Sequence, residues 1–208
     1  MELIEHLQLA NWPRASACAA LAYIAGCFTT GYYLVLWRTW QDLREIGTGS
    51  VGARNVGRVL GKTGFFITVL GDFAKGVLAV LLAHKIAVND NFAAALAVVG
   101  VVIGHLWPMQ LKFHGGKGVT TSMGALLMFD YRIALATAAL FAVIFIFARK
   151  TLLPAMFAFV CLPCTCWFFT RNDLATCAMT AVAAMILFAH RKNLAEEFGA
   201  LKSEQRKI

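Results

Sequence analysis

Six apolar runs dominate the sequence, at Ala15–Trp37, Thr63–Ala83, Asn91–Leu111, Tyr131–Ala148, Leu152–Phe169 and Leu174–Ala189. Each is close to the length of about 20 residues that carries a helix across a bilayer. In hydrocarbon the backbone must satisfy its own hydrogen bonds, so runs of this kind leave one fold class: all-α, polytopic and embedded in a membrane. Composition agrees. Hydrophobic residues make up 60% of the chain and charged ones 14%, against about 25% charged in soluble domains. The mean hydropathy is +0.69. No polar linker separates the runs, so residues 1–208 read as a single transmembrane domain. Glu2 and Glu5 precede the first run, which is unlike a cleavable secretory leader.

A seventh run, Val119–Phe129, is too short to assign by length, and the charge distribution decides it. If it crosses, residues 38–62, 112–118, 149–150 and the tail from His190 share one side of the membrane. Of the 19 Lys and Arg, fourteen then fall on that side: Arg38, Arg44, Arg54, Arg58, Lys62, Lys112, Lys117, Arg149, Lys150, Arg191, Lys192, Lys202, Arg206 and Lys207. The opposite side holds Arg14, Lys85, Arg132 and Arg171, and Lys75 lies within a run. If the short run does not cross, the basic tail moves outside and the positive-inside rule is broken. The expectation is seven helices, one of them short, with the N-terminus outside and the C-terminus in the cytoplasm.

The net charge of +8 is divided among short loops. No basic stripe forms, and no nucleic-acid partner is expected. The six cysteines all lie in apolar runs. "CLPCTC" spaces Cys161, Cys164 and Cys166 like metal ligands, but its run supplies no His or carboxylate. They read as small buried apolar residues, with no metal site.

The polar, glycine-rich elements all fall on the cytoplasmic side. "REIGTGSVGARNVGRVLGKTG" (Arg44 to Gly64) reads as the longest loop, with Gly49, Gly52, Thr48, Ser50 and Asn55 beside Arg54 and Arg58. Glycines, hydroxyls and arginines together suit an oxyanion, although a basic juxtamembrane loop contacting anionic lipid has the same composition. Arg54 and Arg58 share a face if the segment turns helical. In "GDFAKG", Asp72 and Lys75 are three residues apart inside a run. Burying such charges unpaired costs at least about 2.5 kcal/mol each, so they are expected to pair toward the bundle interior. "GHLWPMQLKFHGGKGVTTSMG" ends one run and begins the next. Its Gly115, Gly116 and Gly118 admit close backbone approach, Lys117 adds a cation, and a helix start follows; a phosphate needs all three. A flexible turn between helices would read similarly. His105 precedes this turn and reads equally as a packing residue. "FAHRKNL" places His190 and Asn193 at i and i+3, on one helix face.

These motifs, in this order and on this side, resemble the bacterial membrane glycerol-3-phosphate acyltransferases, the PlsY family. The third stretch is similar to the family pattern G-H-x-(F/W)-P…F-x-G-G-K-G-V-(A/T)-T, "GDFAKG" to D-x-x-K-G and "HRKN" to H-R-x-N. The first loop departs from G-S-G-N-x-G-A-T-N-x-x-R, with Thr48 for serine, Ser50 for asparagine and Arg54 for threonine. The family also tends to carry serines between its fifth and sixth helices, where this chain reads "RKTLLPAM".

The resemblance implies transfer of an acyl chain from acyl phosphate to glycerol 3-phosphate at the cytoplasmic face of the bacterial inner membrane. The products would be 1-acylglycerol 3-phosphate and phosphate, for phospholipid synthesis. No cofactor is implied, and the partners would be the two substrates, the lipid bilayer and the soluble enzyme that makes the acyl phosphate. An acyl phosphate is already activated, so catalysis would rest on positioning and charge stabilisation. Lys117, Arg58, Thr48, Asn193 and His190 would be catalytic. Gly49, Ser50, Gly52, Asn55, Asp72, Lys75, His105, Gly115, Gly116 and Gly118 would bind substrate. Two other classes fit the residues alone: a small anion transporter, although no inverted repeat is visible, and a relative with a different acceptor or a non-catalytic lipid-binding role.

Overall fold

Every regular element among the described residues is helical, as the apolar runs demand. The computed structural model describes residues 11–88 and 90–205, with side chains to residue 199. Glu2, Glu5, Arg206 and Lys207 lie outside the described residues, as does the side chain of Lys202.

Helix α1 (Trp12–Cys27) starts where the Asn11 side chain accepts from the Arg14 amide and Pro13 occupies the first turn. The chain breaks at Phe28 and resumes as α2 (Thr30–Thr39), the two forming one 28-residue apolar span. α3 (Ala53–Ile86) is kinked at Gly61, which alone in this helix takes a non-helical conformation, φ 70°. Glycine adopts that backbone without a Cβ clash. α4 (Asn91–Leu106) is capped by the Asp90 side chain on the Ala93 amide and runs into a short turn, Met109–Leu111. α5 (Val119–Phe129) is followed directly by α6 (Tyr131–Ala148), with Asp130 capping the Arg132 amide. α7 (Leu152–Val160) and α8 (Leu162–Thr170) form one span bent by 40°, with Pro163 at the first turn of α8. α9 (Asp173–Gln205) closes the bundle.

Among the described residues, five spans are long and apolar enough to cross a membrane, six with the bent α7–α8 pair, and the 11-residue α5 is the additional short helix. The boundaries at Asn91–Leu111, Val119–Phe129 and Tyr131–Ala148 coincide with those read from sequence. One reading needs correcting. Residues 44–64 are not one long loop, because α3 begins at Ala53. Val56 is the reason: it is fully buried with Val35, Leu43, Val51 and Leu111 in a small core of its own, which draws the segment into helix.

The main core is built largely from alanine, glycine and valine, so the helix backbones approach closely. A Cβ on Gly104 of α4 would lie 2.2 Å from the Tyr23 carbonyl oxygen of α1. One on Gly76 of α3 would lie 2.2 Å from the Thr121 carbonyl oxygen of α5, and one on Gly124 would lie 2.1 Å from that of Phe73. Small residues at such crossings are how helices associate where lipid tails remove the hydrophobic drive between them. The outer surface carries the bulky side chains instead, with Phe147 84% and Leu70 69% exposed.

Gly76→Val should therefore force α3 and α5 apart, at a cost of about 1–3 kcal/mol. Gly199→Ala should be silent, since nothing lies within 4 Å of its position. Thermal unfolding in detergent checks both: equal melting temperatures for the two variants would contradict this packing.

A candidate active site at one end of the bundle

The loop before α3 is shaped by one buried side chain. The Asn55 Oδ1 accepts from the Thr48 amide at 3.0 Å, and its Nδ2 donates to the carbonyls of Leu43 (3.3 Å) and Ile46 (2.9 Å). Asn55 is 1% exposed. It borders the cavity described below, yet its amide is spent folding the loop. Gly47 and Gly49 supply the left-handed turns (φ 62° and 69°) that the loop requires. Outside the cavity, Asp42 chelates Arg44 through both carboxylate oxygens. The Arg44 guanidinium holds that carboxyl below its usual range.

The GGKG turn hangs from the end of α4. The Gly115 amide donates to the Leu106 carbonyl at 3.0 Å and the Gly116 amide to the His105 carbonyl at 2.9 Å. A Cβ on Gly115 would meet the His105 carbonyl oxygen at 2.1 Å, and one on Gly116 would meet His105 Nε2 at 2.1 Å. These two glycines thus serve backbone packing, and their amides are already bonded within the protein. The expectation that they would face a ligand is corrected accordingly. The unspent donors lie further on. α5 begins at Gly118 and α3 at Gly52, neither with a side-chain cap. Both starts border the same cavity. The first amides of a helix have no partner within it, and they carry the positive end of the helix dipole.

Beneath the cavity lies the expected buried pair, with a third member. Lys75 Nζ is 3.0 Å from Asp72 Oδ1. It donates to the carbonyls of Gly26 (3.2 Å) and Phe28 (2.8 Å), and lies 2.7 Å from His105 Nδ1. An ammonium has three protons and no acceptor site, so His105 Nδ1 must accept. Its proton therefore sits on Nε2, the ring atom turned toward Gly116. His190 takes the opposite tautomer. Its Nδ1 lies 2.9 Å from the Ile186 carbonyl, which can only accept, so Nδ1 donates and the neutral ring leaves Nε2 as an acceptor.

The cavity, about 390 Å³, gathers these elements. Of the residues singled out from sequence, Thr48, Ser50, Gly52, Asn55, Arg58, Asp72, His105, Lys117, Gly118, His190 and Asn193 line it. Gly49, Lys75, Gly115 and Gly116 stand behind its wall. The Lys117 ammonium donates to Asn193 Oδ1. Burial, and then the nearby Arg54 charge, push the Lys117 pKa below the usual lysine range, with Glu196 opposing. Phe65, Val69, Phe141, Leu152, Ala155 and Met156 form an apolar wall that continues from the polar end. Thr151 was missed in the sequence. "RKTLLPAM" does supply a hydroxyl, and it faces the cavity, where it accepts a hydrogen bond from Arg54. The available signal was its place at the start of an apolar helix, where a hydroxyl usually caps; here it makes no such cap.

Comparison with known proteins points the same way. Residues 16–198 match the family model described as "Glycerol-3-phosphate acyltransferase". A glycerol-3-phosphate acyltransferase 1 of Desulfitobacterium hafniense is 39% identical over 187 residues, covering 89% of this chain and 91% of that one. A glycerol-3-phosphate acyltransferase of Clostridioides difficile is 34% identical over 194 residues, covering 91% and 93%. The crystal structure of PlsY, described as an integral membrane glycerol 3-phosphate acyltransferase in its glycerol 3-phosphate form, superposes with a TM-score of 0.81 at 28% identity. The alignment covers 89% of this chain and 92% of that one. Its lysophosphatidic acid form gives a TM-score of 0.79 at 26% identity.

The buried cluster generates a stability prediction. Lys75→Met leaves the Asp72 carboxylate without its counter-ion and the Gly26 and Phe28 carbonyls without their donor, and breaking a buried pair in this way costs about 3–5 kcal/mol. The double variant Asp72→Asn/Lys75→Met removes the stranded charge and should recover part of that loss. Thermal unfolding in detergent is the measurement, and a double variant less stable than Lys75→Met would contradict the pairing.

Proposed function

The chain belongs to the glycerol-3-phosphate acyltransferase family, and on that premise we propose that it transfers a fatty acyl chain from acyl phosphate to the 1-hydroxyl of glycerol 3-phosphate. The observation that carries this reading is the composition of the cavity. Arg54, Arg58, Lys117 and two uncapped helix starts converge on a space whose far wall is apolar. Such a space suits phosphate groups at one end and an acyl chain at the other.

In the reaction, the hydroxyl oxygen attacks the acyl carbonyl carbon, the carbon–oxygen bond to phosphate breaks, and inorganic phosphate leaves with the hydroxyl proton. Acyl phosphate needs no further activation, so the protein's part is orientation and charge stabilisation. Lys117 and Arg58 hold the departing phosphate, with the amides at the start of α5 beside it. His190 Nε2 accepts from the attacking hydroxyl and orients it. Thr48 and Asn193 supply further hydrogen bonds, and Ser50, Gly52 and Gly118 shape the phosphate end. Asp72 and His105 form the floor. Lys75, Gly49, Asn55, Gly115 and Gly116 support these groups from behind. The enzyme is a multi-pass protein of the bacterial inner membrane with its N-terminus outside, which puts the cavity on the cytoplasmic side, within reach of the soluble enzyme that makes the acyl phosphate.

Purified protein given acyl phosphate and glycerol 3-phosphate should release phosphate and 1-acylglycerol 3-phosphate. Turnover with acyl-CoA and none with acyl phosphate would overturn the donor. Lys117→Ala should lower kcat/KM at least about 100-fold, roughly 2.7 kcal/mol of transition-state stabilisation. Lys117→Arg should restore only part, because a planar fork does not replace a compact ammonium among glycines. With native cysteines replaced, a cysteine at Val88 should react with a membrane-impermeant reagent added outside, and one at His114 should not. Reaction of both from the same face would overturn the orientation.

A further inference from the structure

Carboxylates accompany three of the cations near the polar loops: Asp42 beside Arg44, Asp130 beside Arg132 and Glu197 beside Lys150. The cavity cations have no such partner: among the described residues no carboxylate lies within ion-pair distance of Arg54, Arg58 or Lys117. Arg54 instead lowers the proton affinity of Lys117, which is a like-charge repulsion across the cavity. An anion between them would relieve it.

Of the three cations Lys117 is the deepest, and Arg54 and Arg58 are both exposed. Lys117 is half-buried and tied to Asn193 of α9. Arg54 is exposed, on the first turn of α3, and reaches across to the exposed Thr151 at the start of α7. A guanidinium fork beside a hydroxyl matches the oxygens of a phosphate monoester. Two phosphate-bearing substrates must be held at once, and Lys117 and Arg58 are assigned above to the one that leaves. The donor brings its acyl tail along the apolar wall, whereas the water-soluble acceptor arrives through the exposed rim where Arg54 stands.

Resting on the acyl-transfer reading above, we propose that Arg54 and Thr151 form the subsite for the phosphate of the acceptor, making Arg54 a specificity-determining residue. The family pattern carries threonine at this position, so the subsite's charge is an addition of this chain. Its consequence is a stronger demand for a phosphorylated acceptor.

Steady-state kinetics on Arg54→Thr and Arg54→Lys tests this. In Arg54→Thr the KM for glycerol 3-phosphate should rise about tenfold or more, while kcat and the KM for acyl phosphate change far less. Arg54→Lys should recover part of the loss, since it keeps the charge without the fork. Calorimetric titration with glycerol 3-phosphate, without donor, should weaken by a similar factor, and Thr151→Val should weaken it less. An unchanged acceptor KM, or a rise confined to the donor KM, overturns the subsite while leaving the acyl-transfer reading intact. Wild-type protein inactive with both substrates overturns that reading instead; unaltered calorimetric binding in Arg54→Thr would still decide against the subsite. If Arg54→Thr does not fold, Thr151→Val and Arg54→Lys carry the same comparison.

Discussion

The Lys75 ammonium holds the architecture together. It sits 7% exposed in the bundle and is tied to its own helix and to two other segments. Asp72 on its own helix neutralises it, His105 ties it to α4, and the carbonyls of Gly26 and Phe28 tie it to the end of α1. That end needs such a partner. The last carbonyls of a helix have no intrahelical donor, and leaving them bare in a membrane interior is costly. The break between α1 and α2 is thus stabilised by a charge on another helix.

From that cluster the order runs outward to the cavity. Lys75 fixes the His105 tautomer, and the same residue's carbonyl receives the Gly116 amide. The ring lies so close to Gly116 that only glycine fits there. The position of Lys117 therefore depends on α4 packing correctly beneath the cavity. On the other side, the amide of Asn55 folds the loop that leads into α3 and so sets where Arg54 and Arg58 project.

The cavity wall combines unpaired cations with uncapped helix starts, an arrangement that repels itself in the absence of an anion. Preorganised donors of this kind need not rearrange when negative charge is placed among them. The cost is carried by the packed glycine and alanine crossings beneath, which hold the helix ends in place.

Much of this was legible in the residues. Apolar run length determined the helices, since an unbonded backbone cannot lie in hydrocarbon, and the short apolar run Val119–Phe129 is a helix with the bounds read from sequence. The spacing of Asp72 and Lys75 foretold their pair, and that of His190 and Asn193 their shared face. Other features were decided only by tertiary contacts. Val56 drew residues 53–60 into helix through a core assembled from distant segments. Gly115 and Gly116, which in sequence suggest ligand contact, were claimed by the backbone of α4. Thr151 became a cavity residue because α7 starts opposite α3. Local pattern records what a residue can do, but which partner it meets depends on segments brought together from far along the chain.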